Sequence, residues 1–154
     1  MSKIVKTYYD NGKLKEVYFE KNGVKNGEYK SYHENGQLDE EYSENNGVKQ
    51  GEYKSYHDNG YLCIKCKYVD GKRNGIFEQY YDSDTLYETF RYVNGKINGK
   101  YVRYFCDGYP TYECNYINDV LDGIYIEYGY NGSIISKCNY INGVKQDDII
   151  YYYS

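Results

Sequence analysis

A period of 24 residues runs through this chain without insertion or deletion, and nothing else in the sequence constrains the fold as tightly. Gly27, Gly51, Gly75, Gly99 and Gly123 keep the spacing, as do Tyr8, Tyr32, Tyr56, Tyr80, Tyr104, Tyr128 and Tyr152. Units at 3–26, 27–50, 51–74, 75–98, 99–122 and 123–146 are followed by a half unit, 147–154, so 1–154 is expected to be a single repeat domain. A fixed period of this length makes each unit one supersecondary element stacked on its neighbours, and the molecule a quasi-one-dimensional array.

Each unit supplies two turn signals and no room for a helix. The second unit reads Gly27-Glu-Tyr-Lys-Ser-Tyr-His-Glu, then Asn35-Gly36, then Gln37-Leu-Asp-Glu-Glu-Tyr-Ser-Glu, then Asn45-Asn-Gly-Val-Lys-Gln50. Asn-Gly between strand-like segments marks a hairpin, because a two-residue type I′ turn needs positive φ at both central residues. The first turn of the units falls at Asn11-Gly12, Asn35-Gly36, Asn59-Gly60, Ser83-Asp84, Asp107-Gly108 and Asn131-Gly132. The second falls at Asn22-Gly23, Asn46-Gly47, Asp70-Gly71, Asn94-Gly95, Asn118-Asp119 and Asn142-Gly143. The expected fold is all-β: an elongated single-layer antiparallel sheet, an open meander of tandem hairpins.

Alternation assigns the faces. With Asn35-Gly36 as a two-residue loop, His33 faces Leu38 and Tyr29 faces Tyr42, which predicts an apolar stripe through Leu14, Leu62, Leu86, Phe77, Phe90, Tyr101, Cys66, Cys114 and their equivalents. The opposite face carries Lys15, Asp39, Glu41, Lys67 and Arg91, with the ladder Tyr32, Tyr56, Tyr80, Tyr104 and Tyr128 among them. A bulge between Tyr29 and Tyr32 would move that ladder to the apolar side, and the sequence leaves both placements open. Composition suits a thin sheet: with 26 Tyr, no Trp and a mean hydropathy of -0.93, the chain covers its sheet with rings whose hydroxyls stay wet.

These units resemble the MORN repeats in their variant form, a pattern close to G-x-W/Y-x-x-Y-x-x-N-G-x-L followed by Y-x-x-G-x-x-x-G. Gly27-Glu-Tyr-Lys-Ser-Tyr-His-Glu-Asn-Gly-Gln-Leu38 matches the first part, and Tyr68-Val-Asp-Gly-Lys-Arg-Asn-Gly75 and Tyr92-Val-Asn-Gly-Lys-Ile-Asn-Gly99 match the second. Ser83-Asp84 and Pro110 depart from it. The resemblance implies an elongated, twisted sheet of successive hairpins that acts as a binding or scaffolding module, some relatives being associated with membrane lipids. Similar proteins include bacterial antitoxin-like proteins and arrays in large DNA viruses; for a viral member, virion association would follow.

Candidate chemical sites fail on geometry, and no catalytic residue, cofactor or metal is expected. Cys63 and Cys66 have C-x-x-C spacing, but residues three apart on a regular strand point to opposite faces. His33 and His57 are one unit apart, about 9 to 10 Å, too far to share an ion. The same distance keeps Cys114 from Cys138, and five cysteines suit a reducing compartment. Asp39-Glu40-Glu41 is split between faces by alternation.

What remains is surface. The Tyr32, Tyr56, Tyr80, Tyr104 and Tyr128 ladder is the candidate binding surface, its rings able to receive a partner's apolar side chains. The C-terminal edge Ile149, Ile150, Tyr151, Tyr152 and Tyr153 is the most apolar β-prone segment, a candidate for self-association into a homo-oligomer. The net charge of -4 argues against nucleic acid: residues 1–74 carry 13 Lys and Arg against 12 Asp and Glu, and residues 75–154 carry 6 against 11. The N-terminus has no apolar signal-peptide region and the chain no apolar run long enough to span a bilayer, so it reads as soluble and intracellular. The sequence thus favours a non-catalytic scaffold that binds a protein partner; the alternatives are a lipid- or membrane-surface adaptor and an antitoxin-like inhibitor.

Overall fold

The computed structural model describes residues 2–146 and the short strand Ile150–Tyr151. Its strands are β1 (Ser2–Tyr8), β2 (Leu14–Lys21), β3 (Val24–Tyr32), β4 (Leu38–Asn45), β5 (Val48–Tyr56), β6 (Leu62–Val69), β7 (Lys72–Arg73), β8 (Gly75–Tyr80) and β9 (Leu86–Val93). Then follow β10 (Lys96–Ile97), β11 (Gly99–Tyr104), β12 (Pro110–Ile117), β13 (Val120–Leu121), β14 (Gly123–Tyr128), β15 (Ile134–Ile141), β16 (Val144–Lys145) and β17 (Ile150–Tyr151). Pairing is antiparallel throughout: β1 to β6 pair each with the next, and β6, β9, β12 and β15 each pair with the short segment that follows and with the strand after it, in one open sheet. The short segments β7, β10 and β13 are the starts of strands interrupted at Asn74, Asn98 and Asp122, whose amides still reach Lys67, Arg91 and Asn115 across the ladder.

The two turns of a unit differ. The second is the expected type I′ hairpin: Asn22 and Gly23 have φ of 54° and 80°, and Lys21 pairs with Val24 across them. Asp119 takes the glycine position at φ 71°. The first turn is a three-residue loop rather than a two-residue one. The Gly36 amide donates to the His33 carbonyl and the His33 amide to the Gln37 carbonyl, both at 2.8 Å, while Gly36 sits at φ 95°. This is a type I turn closed by a glycine bulge. Asn35 is present for its side chain, whose Oδ1 accepts from the Gln37 amide at 2.9 Å.

One extra residue in the following strand compensates for that loop. Ser31 pairs with Glu40 but Tyr32 pairs with Leu38, leaving Asp39 bulged, and the same shift recurs in every unit through Tyr128 and Ile134. The bulge lies on the strand opposite Tyr32, so β3 alternates without a break from Tyr29 to Tyr32. The Tyr32 ladder therefore stays on the face opposite Tyr29, which settles the placement the sequence left open. The leucines move: Leu14, Leu38, Leu62 and Leu86 pair with Tyr8, Tyr32, Tyr56 and Tyr80 and share the ladder's face, which corrects their assignment to the aromatic core.

The core is a row of rings on the other face. Tyr18, Tyr29, Tyr42 and Tyr53 stack in succession with centroids 6.1, 4.5 and 5.9 Å apart. Phe77, Phe90, Tyr101, Tyr112 and Tyr125 continue the row at 4.7, 5.0, 5.7 and 5.4 Å. Cys66 and Cys114, with Phe77, Phe90 and Tyr101, form its buried centre. Lys25 and Lys49 lie over these rings at 4.2 and 3.9 Å, and the Arg73 guanidinium lies 5.2 Å from Phe77. In this way a single layer buries its aromatics with cations and neighbouring rings instead of a second sheet. Gly27 keeps the backbone close: at φ 119°, a Cβ there would stand 3.1 Å from Phe19.

The phenols find acceptors on the same face. Tyr29 donates to Glu16 at 2.8 Å, Tyr53 to Glu40 at 2.9 Å, and Tyr101 to Glu88, each 13 residues earlier. In the unit where the ring is Phe77, with no hydroxyl, the carboxylate position holds Ile64. The Tyr29 bond holds the Glu16 carboxyl below its usual range. Burial first, and then the carboxylate, push the Tyr29, Tyr53 and Tyr101 hydroxyls upward.

Candidate binding surface

The first-turn edge is built by hydrogen bonds from each unit to the next. Tyr9 donates its hydroxyl to the Tyr32 carbonyl at 2.6 Å, and Tyr81 to that of Tyr104 at 2.9 Å. His33 and His57 hold the equivalent positions and reach the carbonyls of Tyr56 and Tyr80 at 2.9 and 3.0 Å. Because a carbonyl only accepts, Nε2 carries the hydrogen in both rings. The two histidines are clamps between turns. Asn35 and Asn59 add a second clamp, donating to the carbonyls of Asp58 and Asp82 at 2.6 and 2.7 Å.

These clamps fix the ladder backbone and leave its rings half-exposed. Tyr32, Tyr56, Tyr80, Tyr104 and Tyr128 stand in one row beside Leu38, Leu62, Leu86, Pro110 and Ile134. The close ring pairs among the described residues lie on the opposite face or at the turn edge, so the ladder rings do not stack on one another. Tyr56 donates to Glu41 at 2.9 Å, and its hydroxyl is pushed up to about 12 by burial and then by that carboxylate. Burial followed by the charge of Glu78 or Glu113 raises Tyr80 and Tyr128 as well. A shallow groove runs between Leu38, Tyr56 and the exposed ring of Tyr61. The sequence marked the tyrosines but missed the aliphatic row beside them, because the bulge at Asp39 has no residue signature of its own.

Charges on the two flanks of this stripe differ. Toward the sheet centre they are paired, Lys30 with Glu41 at 3.5 Å, Lys65 with Glu78 at 3.8 Å and Lys100 with Glu113 at 2.6 Å. On the turn side Asp10, Glu34, Asp58 and Asp82 are exposed, and none of them forms an ion pair among the described residues.

The other sequence candidates resolve in part. Cys63 occupies the bulge position and reaches Ser55, while Cys66 pairs with Tyr53, so both cysteines face the aromatic side. The alternation argument that separated them fails for this reason, and Ile64 lies between them instead. All five cysteines are free thiols, and burial pushes Cys114 up to about 11. Among the described residues no cluster of three or more His, Cys, Asp or Glu is arranged to hold a metal. Asp39 accepts from Ser31 at 2.9 Å and Glu40 from Tyr53, whereas Glu41 serves the other face, which accounts for all three members of that acidic run. In the C-terminal edge, Ile150 and Tyr151 pair with Lys137 and Ser136, and Ile149, Tyr152 and Tyr153 lie outside the described residues.

The sequence model of the family described as MORN repeat variant matches residues 2–22, 25–46, 49–70 and 121–142, more than half of the chain. The chain belongs to the MORN repeat variant family. No curated protein matches it significantly. The unmatched stretch contains Ser83-Asp84 and Pro110, yet β8 with β9 and β11 with β12 repeat the pairing and bulge of the matched units. These MORN-type hairpins therefore continue where the motif has drifted. Repeats of this family commonly serve as binding modules for proteins or membranes and are generally non-enzymatic. No helix among the described residues is long and apolar enough to cross a membrane.

Proposed function

We propose that this MORN-repeat chain is a non-catalytic scaffold that binds a protein partner through the stripe of Tyr32, Tyr56 and Tyr80 with Leu38, Leu62 and Leu86. The observation that carries this reading is the division of labour between the faces. The rings of the aromatic side stack on one another, with Tyr29, Phe77, Phe90 and Tyr101 buried, whereas the stripe repeats unit after unit on the other side, half-exposed and outside that stacking. Aromatic and aliphatic side chains on a rigid backbone are the usual anchors of protein interfaces. The groups that acid-base chemistry would need are otherwise engaged, His33 and His57 in clamps and Glu16, Glu40 and Glu88 in accepting phenols. The carboxylates beside the stripe disfavour an anionic lipid surface.

Site-specific photocross-linking tests this. A benzophenone side chain at Tyr32 or Tyr56 should capture the partner in the native source, and one at Lys25, on the aromatic face, should not. Capture from Lys25 alone would place the interface on the other side of the sheet and end this reading.

A further inference from the structure

The stripe has a pitch, and the pitch selects the kind of partner. Successive rungs are two strands apart, about 9.6 Å if strands sit near 4.8 Å. A peptide in extended conformation, lying across the strands, presents same-side residues every ~6.7 Å and falls out of step after one rung. An α-helix returns a side chain to the same face every seven residues, about 10.5 Å, and stays in step over several rungs. The regular aliphatic rungs are Leu14, Leu38, Leu62 and Leu86; the next two are Pro110 and Ile134.

A second row ends at the same unit. Asp10, Glu34, Asp58 and Asp82 occupy one position of the first turn, where the following units have Cys106 and Tyr130. These four carboxylates are exposed and without an ion-pair partner among the described residues, whereas on the stripe's other flank Lys30, Lys65 and Lys100 are paired with Glu41, Glu78 and Glu113. An apolar row at helical pitch and an unneutralised acidic row beside it thus coincide over four rungs, roughly 29 Å, the length of about 20 helical residues.

The geometry points to an amphipathic α-helix as the occupant of this stripe, about three heptads long, with its apolar seam on the leucine rungs and basic residues along one flank facing the acidic turn row. This inference rests on the binding role proposed above for the same surface and adds the chemistry and orientation of the partner. Its helix axis runs along the stacking direction, across the strands, so it adds no strand to the sheet edge.

The probe is a fluorescein-labelled, end-capped peptide of about 21 residues, with leucine at heptad positions a and d and arginine along one flank. Fluorescence anisotropy against the full chain should show saturable binding that weakens roughly tenfold or more in Leu38→Glu/Leu62→Glu, as expected for loss of central anchors. The charge variant Glu34→Gln/Asp58→Asn/Asp82→Asn should also weaken it and flatten its salt dependence. These three side chains are at turn tips and make no packing contact the fold needs, so this variant carries the test should the leucine variant fail to fold. A peptide with glutamate for arginine, or with two central prolines, should bind at least tenfold more weakly. Equal binding of the proline peptide, or no binding of the arginine helix, overturns the helix. Cross-linking of the native partner from Tyr56 in that event would leave the binding role standing, and its absence would refute both.

Discussion

The ring-carboxylate pairs of the aromatic face contain their own control, and a double-mutant cycle can use it. Tyr53 donates to Glu40 at 2.9 Å, and in the next unit the same two positions are Phe77 and Ile64. Tyr53→Phe removes a hydrogen bond to a charged acceptor, worth about 1.5 to 3 kcal/mol when dry. Both residues are half-exposed, so water screens the pair and re-solvates part of the carboxylate, which lowers the expected loss to about 1 to 2 kcal/mol. Glu40→Ile alone strands the phenol but adds apolar contact, for a loss of about 0.5 to 1 kcal/mol. The double variant reproduces the Phe77–Ile64 rung, in which no polar group needs a partner. It should lie within about 0.5 kcal/mol of the parent, giving a coupling energy of ~1 kcal/mol or more. Urea unfolding at pH 7, with all four proteins measured for midpoint and slope, reads the cycle directly. Additive effects would mean that the hydrogen bond contributes nothing and that the matched exchange at Phe77 and Ile64 is coincidence.

Four further outcomes follow from the same structure. The hydroxyls of Tyr56 and Tyr125 are pushed up to about 12 by burial and neighbouring carboxylates, so the stability they protect is full below the unfolded value near 10 and is lost as pH rises through 12; urea midpoints measured from pH 8 to 12 should fall over that window. Phe90→Ala, at a buried ring between Phe77 and Tyr101, should cost about 3 kcal/mol, and Leu86→Ala on the half-exposed stripe about 1 or less; equal losses would contradict the faces assigned here. Native thiol titration should label Cys106 first, as the exposed cysteine, with Cys66, Cys114 and Cys138 reacting only on unfolding; simultaneous labelling would mean the aromatic face is open. If the C-terminal edge drives self-association, sedimentation should show oligomers of the parent and monomers of Ile150→Lys/Tyr152→Lys, and monomers of both at micromolar concentration would end that expectation.

The period made the architecture legible, because a hairpin that repeats every 24 residues can only extend a meander. Register was harder to read. Asn-Gly at 22–23 and Asn-Gly at 35–36 look alike, but the first adopts positive φ at both residues and the second at glycine alone. What separates them is a side-chain contact, Asn35 Oδ1 on the Gln37 amide, and the loop then needs one residue more than a type I′ turn. That residue reappears as the bulge at Asp39, and the shift carries Leu38 from the aromatic face to the ladder. A one-residue slip is enough, since side chains alternate with a period of two. The aromatic row survived the error because the bulge at Asp39 offsets the longer loop and restores the pairing of Tyr29 with Tyr42.

The exchange of partners at Phe77 and Ile64 was open to inspection in the sequence alone. In a repeat protein, equivalent positions serve as a small alignment within one chain. Set 13 residues apart, the pairs Glu16 with Tyr29, Glu40 with Tyr53 and Glu88 with Tyr101 keep acceptor and donor together, the pair Ile64 with Phe77 loses both at once, and Tyr112 with Tyr125 loses the carboxylate alone, at a half-exposed ring. Such a matched loss is what an unpaired buried polar group would enforce, since either replacement alone leaves a phenol or a carboxylate facing rings. The stripe proposed to bind a partner shows no comparable exchange. Its tyrosines recur in every unit, and its leucines give way to Pro110 and Ile134 without a paired change in the ladder, as expected where water can satisfy what a neighbour does not. On the aromatic face Ile64 and Phe77 vary together, at the rung where the ring is buried. Positions on the stripe are free of one another, and what they have in common, a rung every two strands, is a constraint that a partner spanning several units would impose.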